Sequence, residues 1–265
     1  MTDKQIKLST YSVNYLWLCA REAPSQQFFA TKIPLHYLKR MYANAKFYPQ
    51  AEFNLWLDFG QLALRERFFL DSHRFAFNSD CIRIRDLRSI PEYRDLPGFA
   101  SDTNIALYAR ADCARILVLN HLLLTEQDKL RTIIYSDLDC ENVDLDNAKA
   151  TEALNTHGFV YGKSGRNNIC NGYVGIKGEK GKLFMKDYLL PKTLTSFQKN
   201  LVNHFGAFID AVRHYRNTQC PELKYRDLGL IELPLMRSVM PYNTEIYGNV
   251  CPPIAARIPG SIEYV

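Results

Sequence analysis

The chain has 265 residues, of which 47% are hydrophobic and 23% are charged, and its formal net charge is +5. This composition is typical of a globular protein with a substantial core and argues against a disordered or fibrous one. The mildly basic balance includes no long run of Lys or Arg. It therefore gives little support to nucleic-acid binding, and it suits an anionic small molecule or an acidic lipid surface equally well.

The cysteines and the apolar runs limit the setting in which the chain works. Seven cysteines are scattered without a CxxC pair, which argues against a disulfide framework or a zinc site. The polar start, MTDKQIKLST, lacks the apolar region of a Sec signal peptide. The longest apolar runs, such as ILVLNHLLL, are far shorter than the ~20 residues that span a bilayer. We therefore expect a soluble protein with no membrane span.

Predicted strands and helices alternate along the chain. The expected strands are 12–19, 53–58, 81–87, 131–136 and two short ones, 157–162 and 170–178, separated by a polar turn. The expected helices are 34–49, 61–70, 102–124 and 195–216. This alternation predicts one α/β domain over residues 1–265, with a mostly parallel central sheet flanked by helices. The Pro-rich, irregular tail from about residue 220 could close a site.

Two carboxylates, Asp137 and Asp139, directly follow the predicted strand RTIIYS. Because residues two apart in an extended chain project to the same side, their side chains can converge. They do so at the carboxyl end of a strand, where open α/β sheets bind ligands. Two unit charges about 4 Å apart near a protein surface repel by about 4 kcal/mol, and a divalent cation between them relieves that repulsion. The pattern predicts Mg²⁺ or Mn²⁺, completed by waters and substrate phosphates.

Other interpretations of this acidic pair differ in the spacing that they require. A solvated acidic turn is the simplest of them. An EF-hand loop starting at Asp137 would need Gly and Glu where Asn142 and Ala148 stand, so it is excluded. A phosphatase of the haloacid dehalogenase type normally has Thr or Val two residues after the second Asp, where this chain has Glu141. The phosphatase is therefore the least favoured of the open interpretations.

The helix before this strand carries charge on an otherwise apolar face. The spacing places Ile105, Tyr108, Asp112, Arg115 and Leu119 on one side of the helix. A buried charged pair is costly unless it is hydrogen-bonded. The face therefore predicts either an ion pair that ties the helix to its neighbours or a ligand site.

The order of these features resembles the DXD-motif sugar transferase family, which includes the glucosylating domains of large clostridial toxins and related bacterial effectors. The resemblance covers residues 12–58 and 101–178 and extends to HFGAFIDAVRHY at 204–215. The matching segments, in order, are NYLWLCA, FNLWLD, ARADCARILVL, IIYSDLDC and NICNGYVGIKG. It implies a GT-A-like fold and a nucleotide-sugar donor.

The resemblance also implies roles for individual residues. Trp17 would stack on the uracil, and Tyr135 would line the donor pocket. Arg115 would reach the sugar or the diphosphate. The remaining implied roles are sugar hydroxyl binding by Asp112, contact with ribose, sugar or a metal-bound water by Asp137, direct metal ligation by Asp139, and a position near the reacting sugar for Asn171, with Asn168 as its rival.

The chain departs from the family pattern at several positions. Ala111 stands where the family has Ser, the Gly-Gly before the acidic strand is replaced by DKLRTIIY, and both tryptophans, Trp17 and Trp56, lie early. Further metal ligands and a lid aromatic would then come from the tail. The candidates are Asn243, Glu245, Ser261 and Glu263 for the metal, and Tyr242, Tyr247 and Tyr264 for the lid.

The implied function is metal-dependent transfer of a sugar from UDP-glucose or UDP-N-acetylglucosamine, with retention of anomeric configuration. The implied acceptor is a host protein modified by a bacterial effector. The chain would therefore act in the cytoplasm of the cell that produces it or be delivered into a host cell cytosol by a specialised secretion system. A transferase of bacterial surface-glycan synthesis and a non-catalytic nucleotide-binding or partner-binding descendant are the alternatives. No carboxylate stands out as a base. The candidates are Glu141, Asp210 and Asp227, whereas His204 and His214 fit ordinary helix positions.

Overall fold

Strands and helices alternate in a computed structural model that describes residues 10–18, 35–61, 82–96, 107–125, 130–138, 143–164, 168–198, 204–224 and 227–232. The strands are β1 (Tyr11–Trp17), β2 (Glu52–Leu57), β3 (Ile82–Asp86), β4 (Thr132–Ser136), β5 (Phe159–Ser164), β6 (Asn168–Lys177) and β7 (Leu230–Glu232). The helices are α1 (Leu35–Phe47), α2 (Pro91–Asp95), α3 (Leu107–Thr125), α4 (Ala148–Thr156), α5 (Gly178–Leu183), α6 (Leu190–Gln198) and α7 (His204–Gln219). A 3-10 turn at Leu87–Ser89 precedes α2, and a π-helical turn at Phe184–Leu189 joins α5 to α6.

The strands form one sheet in the order β3-β2-β1-β4-β6-β5-β7. The first four strands of the chain are parallel to one another, whereas β6 is antiparallel to both β4 and β5. The chain runs outward from β1 to β3 and then returns to add β4 on the other side of β1. In open α/β sheets such a reversal leaves a crevice outside the carboxyl ends of the two strands, here β1 and β4, and ligands bind there.

Helices cover both faces of the sheet because its central strands are apolar on both sides. Val13 and Trp17 of β1 belong to a core cluster with Leu38 of α1. Leu16 belongs to the opposite cluster, with Leu117 of α3. All five residues of β4 are buried, as expected for a strand packed on two sides. The predicted α/β class with a mostly parallel sheet is confirmed.

The helix after β6 widens at its centre. Pro191 cannot donate a hydrogen bond to the carbonyl of Asp187, and its ring crowds that carbonyl. The backbone N–H of Leu190 donates instead to the carbonyl of Met185, one residue further back than in an α-helix. Phe184 in this widened turn stacks on Phe159 of β5, with ring centroids 4.0 Å apart.

Several elements differ from the sequence expectations. The sequence predicts one helix over 195–216, but the structure has α6 ending at Gln198 and α7 beginning at His204. The short helices α2 and α4 were not expected, although Asn147 caps α4 by accepting from the N–H of Ala150 at 3.0 Å. The predicted helix at 61–70 lies almost wholly outside the described residues. No helix in the described ranges is both long and apolar enough to cross a bilayer.

An ion cluster lies at the end of the sheet opposite the crevice. Glu52 places Oε2 3.1 Å from Arg83 Nη1 and 3.0 Å from Arg131 Nη2, and Oε1 3.4 Å from Arg85 Nη2. Burial by itself raises the pKa of this carboxyl, but the hydrogen bond from Arg131 and the nearby cations outweigh burial and lower the pKa. The cluster therefore ties β2 to β3 and to the residue before β4.

We expect Glu52→Gln to lower the free energy of unfolding at pH 7 by about 1–3 kcal/mol, since three guanidinium groups would lose their carboxylate. The folded pKa lies below the unfolded value of about 4.3. The contribution of Glu52 is therefore present above that value and is lost as the pH falls through the folded pKa. Urea unfolding of both proteins at neutral pH and in acid would measure this difference and its decline.

The matched control is Asp95→Asn, which removes the exposed Arg94–Asp95 pair and should leave the unfolding midpoint unchanged. A difference between Glu52→Gln and wild type that stayed the same size in strong acid would contradict the assignment.

Candidate functional site

The crevice is bordered by α3, the end of β4 and the beginning of β6. Ser136 of β4 pairs with Tyr173 of β6, and the backbone N–H of Asp137 donates to the carbonyl of Gly172 at 2.7 Å. Because β6 runs antiparallel to β4, its first residues lie beside the last ones of β4. This register brings Asn171 to Asp137.

Arg115 of α3 is the centre of the site. Its Nη1 donates to the backbone carbonyl of Asn171 at 3.0 Å and to Oδ1 of the same residue at 3.1 Å. Its Nη2 lies 3.1 Å from Asp112 Oδ1 and 3.3 Å from Asp137 Oδ1. The guanidinium carbon also lies 4.9 Å from the centroid of the Tyr135 ring, within cation–π range.

Two further hydrogen bonds connect the partners of Arg115 to one another. The side-chain amide of Asn171 donates to Asp112 Oδ1 at 3.0 Å. The hydroxyl of Tyr135 donates to Asp137 Oδ1 at 2.6 Å. The structure brings five of the residues singled out from the sequence into one connected set. We call this set the Arg115 network; its members are Asp112, Arg115, Tyr135, Asp137 and Asn171.

The electrostatics of the network follow from burial. Burial alone would lower the pKa of Arg115, but Asp137, Tyr135 and Asp112 outweigh it, so the pKa is raised and the cation persists. Burial is also the largest influence on Asp137 and raises the pKa of its carboxyl, against the opposing effects of Arg115 and Tyr135. Asp112 and Asp137 face one guanidinium, so the network contains one more acidic group than basic groups.

The contacts of Asp137 limit its use as a metal ligand. Its Oδ1 faces Tyr135 and Arg115 Nη2, and its Oδ2 lies 3.5 Å from Arg115 Nη1. A carboxylate already engaged by a guanidinium is better suited to a hydroxyl or a metal-bound water than to direct ligation. Within the described ranges no three acidic, His or Cys side chains are grouped so that they could hold a metal ion. Asp139 lies outside those ranges.

Trp17 lies at the same edge of the sheet but on the other face. It ends β1, where it pairs with Leu57, and its indole belongs to the α1-side core, whereas Tyr135 belongs to the α3-side core. The indole is 7% exposed and packs at 55° against Tyr37 with centroids 6.1 Å apart. Its Nε1 is buried without a hydrogen-bond partner in the described part of the chain. Most of the ring is therefore covered by protein.

The other sequence candidates are dispersed. Asp210 is exposed on α7 with Arg213 at 3.7 Å, Asp227 is also exposed, and His214 packs against Tyr188. The candidates outside the described residues, or whose side chains are, comprise Glu141, Asn168, His204, Tyr242, Asn243, Glu245, Tyr247, Ser261, Glu263 and Tyr264.

A second charged group at this edge was not assigned from the sequence. Asp58 directly follows β2, and its Oδ1 accepts from Arg88 Nε at 2.6 Å and from the N–H of Gly60 at 2.9 Å. Its Oδ2 accepts from the hydroxyl of Tyr93 at 3.0 Å. We call these four residues the Asp58 cluster. A carboxylate as the last residue of a predicted strand was the available signal, but nothing in the sequence pointed to Arg88 or Tyr93.

No protein-family model and no curated protein matches the chain. Solved structures do match it. One described as "Structure of Transferase" superposes with a TM-score of 0.51 at 12% identity, covering 83% of this chain and 89% of that one. The PaToxG glycosyltransferase (TM-score 0.49, 12% identity, 90% of this chain and 85% of that one) and the bacterial N-acetylglucosamine transferase NleB (0.46, 13%, 84% and 92%) also match.

At these identities the similarity concerns the fold. The fold predicted from the sequence is confirmed by the superposition at a TM-score of 0.51 on a structure described as a transferase. The other two structures are named a glycosyltransferase and an N-acetylglucosamine transferase.

Proposed function

We propose that the chain is a metal-dependent glycosyltransferase that moves a sugar from a UDP-sugar, UDP-glucose or UDP-N-acetylglucosamine, to an acceptor with retention of configuration. The observation that carries this proposal is the Arg115 network, which places two carboxylates and an amide at the carboxyl end of β4, directly before Asp139. A polar set of this kind binds a hydroxyl-rich, charged ligand.

The contacts suggest a division of work within the network. Both Nη atoms of Arg115 are engaged by protein oxygens, so its first task is to orient Asp112, Asp137 and Asn171. Both contacts of Asp112 use Oδ1, which leaves Oδ2 as an acceptor for a hydroxyl of the donor sugar. Asp137 would contact ribose, sugar or a metal-bound water through the lone pairs that remain.

The carboxylate oxygens of the network fit a divalent cation, Mn²⁺ or Mg²⁺, held directly by Asp139. When bound, such an ion supplies Lewis-acid stabilisation of the charge that develops on the leaving diphosphate. The Tyr135 hydroxyl keeps Asp137 oriented while a ligand binds, because its short hydrogen bond fixes one carboxylate oxygen.

The acceptor that we propose is a protein, and the setting is a bacterial effector acting in a host cytosol. A transferase of bacterial surface glycans differs from this only in its acceptor, so labelling of protein in a eukaryotic lysate against labelling of a bacterial glycan separates the two. A non-catalytic descendant that binds nucleotide or a partner protein is the second candidate. The observation that favours it is the departure from the family pattern, with DKLRTIIY in place of the Gly-Gly and no tryptophan after Trp56.

We expect Asp139→Ala to reduce metal-dependent UDP release from the preferred UDP-sugar by at least about a hundredfold, since the ion would lose its direct ligand. The assay compares UDP-glucose and UDP-N-acetylglucosamine, with and without Mn²⁺ and without acceptor. Asp146→Ala, which removes an exposed aspartate in the turn before α4, is the control and should match wild type. Normal turnover by Asp139→Ala would rule out the metal mechanism.

The same assay separates the remaining alternatives. UDP binding by calorimetry with no sugar release from either donor would support the non-catalytic descendant. Phosphate release from small phosphate esters, with no action on UDP-sugars, would indicate the phosphatase.

We expect Arg115→Lys to lower UDP release by about a hundredfold or more and the free energy of unfolding by about 1–3 kcal/mol. A lysine keeps the charge, but it cannot reach Asp112, Asp137 and Asn171 together. Thermal unfolding and UDP release would be measured side by side. Arg213→Lys, at the exposed pair on α7, is the control. A variant that kept both wild-type activity and wild-type stability would contradict the orienting role.

A further inference from the structure

The Asp58 cluster lies at the carboxyl end of β2, the edge at which open α/β sheets bind ligands. It shares no residue with the Arg115 network. The Asp58 side chain is 1% exposed, and both of its oxygens accept hydrogen bonds from Arg88, Gly60 and Tyr93. A carboxylate so enclosed has no capacity left for a ligand. What the cluster presents to solvent is the guanidinium of Arg88, whose side chain is 40% exposed.

The cluster holds this guanidinium in a defined orientation. Only its Nε contacts Asp58, at 2.6 Å, and Nη1 and Nη2 have no hydrogen-bond partner in the described part of the chain. The group lies against Gly60, where a Cβ would collide with it. A side chain that loses rotamer freedom to an internal contact binds a ligand at lower entropic cost. Arg88 therefore presents a fork-shaped guanidinium in a fixed orientation, with Nη1 and Nη2 able to donate to a ligand.

The position of the Arg88 guanidinium suits contact with the nucleoside of a bound donor rather than with its sugar. Trp17, the last residue of β1, pairs with Leu57, so Asp58 begins the segment just beyond that pair. Trp56 and Tyr93 share the α3-side core with Tyr135, which puts both charged groups on the same side of the sheet. In dinucleotide-binding sheets with the strand order 3-2-1-4-5-6, an acidic residue after the first βα turn hydrogen-bonds the ribose of the bound nucleotide. By analogy, the nucleoside of a donor would lie towards β2, where Arg88 and not the enclosed Asp58 can contact it.

We propose that Arg88 is a specificity-determining residue that donates hydrogen bonds to the C4 carbonyl oxygen of the nucleobase and so selects uracil over cytosine. This inference rests on the proposed function, because it concerns the donor nucleotide of that site. Arginine carries donors only. It matches the C4 carbonyl of uracil, whereas cytosine places an amino donor at the same position. A site built around one hydrogen-bonding pattern rejects the inverted pattern strongly, because donors are left unpaired.

The experiment is calorimetric titration of the full chain with UDP and with CDP in the presence of Mn²⁺. Wild type should bind UDP more tightly. Arg88→Lys keeps a cation opposite Asp58 but lacks the fork, and it should weaken UDP binding by about tenfold to a hundredfold while changing CDP binding little. Gly60→Ala should act in the same direction with Arg88 intact, because the added methyl group displaces the guanidinium.

The matched control is Arg94→Gln on α2, whose guanidinium pairs with Asp95 in solvent and which should leave both affinities unchanged. Thermal unfolding of each variant separates a folding defect from a loss of recognition. Unchanged UDP and CDP affinities in Arg88→Lys and Gly60→Ala would overturn the proposal and leave the proposed function standing. Equal loss of both affinities would also overturn it, since that is the effect of a structural residue. Wild type that bound neither nucleotide would overturn the proposed function and this inference together.

Discussion

A buried guanidinium has to be surrounded by acceptors, and the site of this protein is built on that requirement. Removing a cation from water costs several kcal/mol unless charges and hydrogen bonds replace the hydration shell. Arg115 meets the requirement with oxygens from three elements: Asp112 on its own helix, Asp137 after β4 and Asn171 on β6. The contacts that make burial tolerable are the same ones that assemble the crevice.

This dependence makes the site part of the fold. The sheet needs β6 to run antiparallel beside β4, because only that direction brings the beginning of β6 to the carboxyl end of β4. The backbone bond from Asp137 to Gly172 fixes the register, and Arg115 then fixes the side chains. A ligand that bound here would meet polar groups already held in place by these contacts, so little reorganisation would remain to be done on binding.

The sequence predicted the parts of the site that depend on local spacing. Asp137 after an apolar strand and the i,i+3 pair of Asp112 with Arg115 are readable because a strand and a helix each impose a fixed period. The pairing of Asp58 with Arg88 was not readable, since Asp58 follows β2 and Arg88 lies in the turn after β3, and the two meet only through the register of β2 with β3. The covering of Trp17 by Tyr37 depends in the same way on the packing of α1 on the sheet.

Helices with weak local signals were missed for a related reason. Gly178, Gly181 and Pro191 lie within the continuous run from α5 to α6, and each lowers helix propensity. Tertiary packing overrides that propensity. Gly181 permits close approach to Gly158 at the start of β5, and the π turn accommodates Pro191 while it places Phe184 on Phe159. The sequence shows that these residues have low helix propensity, but it does not show the tertiary contacts that compensate for it.

The Arg115 network and the Asp58 cluster make the two ends of the crevice chemically different. The Arg115 network at β4 offers acceptor oxygens from two carboxyl groups, whereas the Asp58 cluster at β2 offers hydrogen-bond donors from Arg88. A nucleotide sugar has a corresponding asymmetry, with hydroxyls and a metal-bound diphosphate at one end and base carbonyls at the other. If such a donor binds here, acceptors face its hydroxyls and cation at β4, and donors face its carbonyls at β2. The reverse orientation would place the base carbonyls against carboxylates, where acceptor faces acceptor, so the arrangement of donors and acceptors favours one direction of binding.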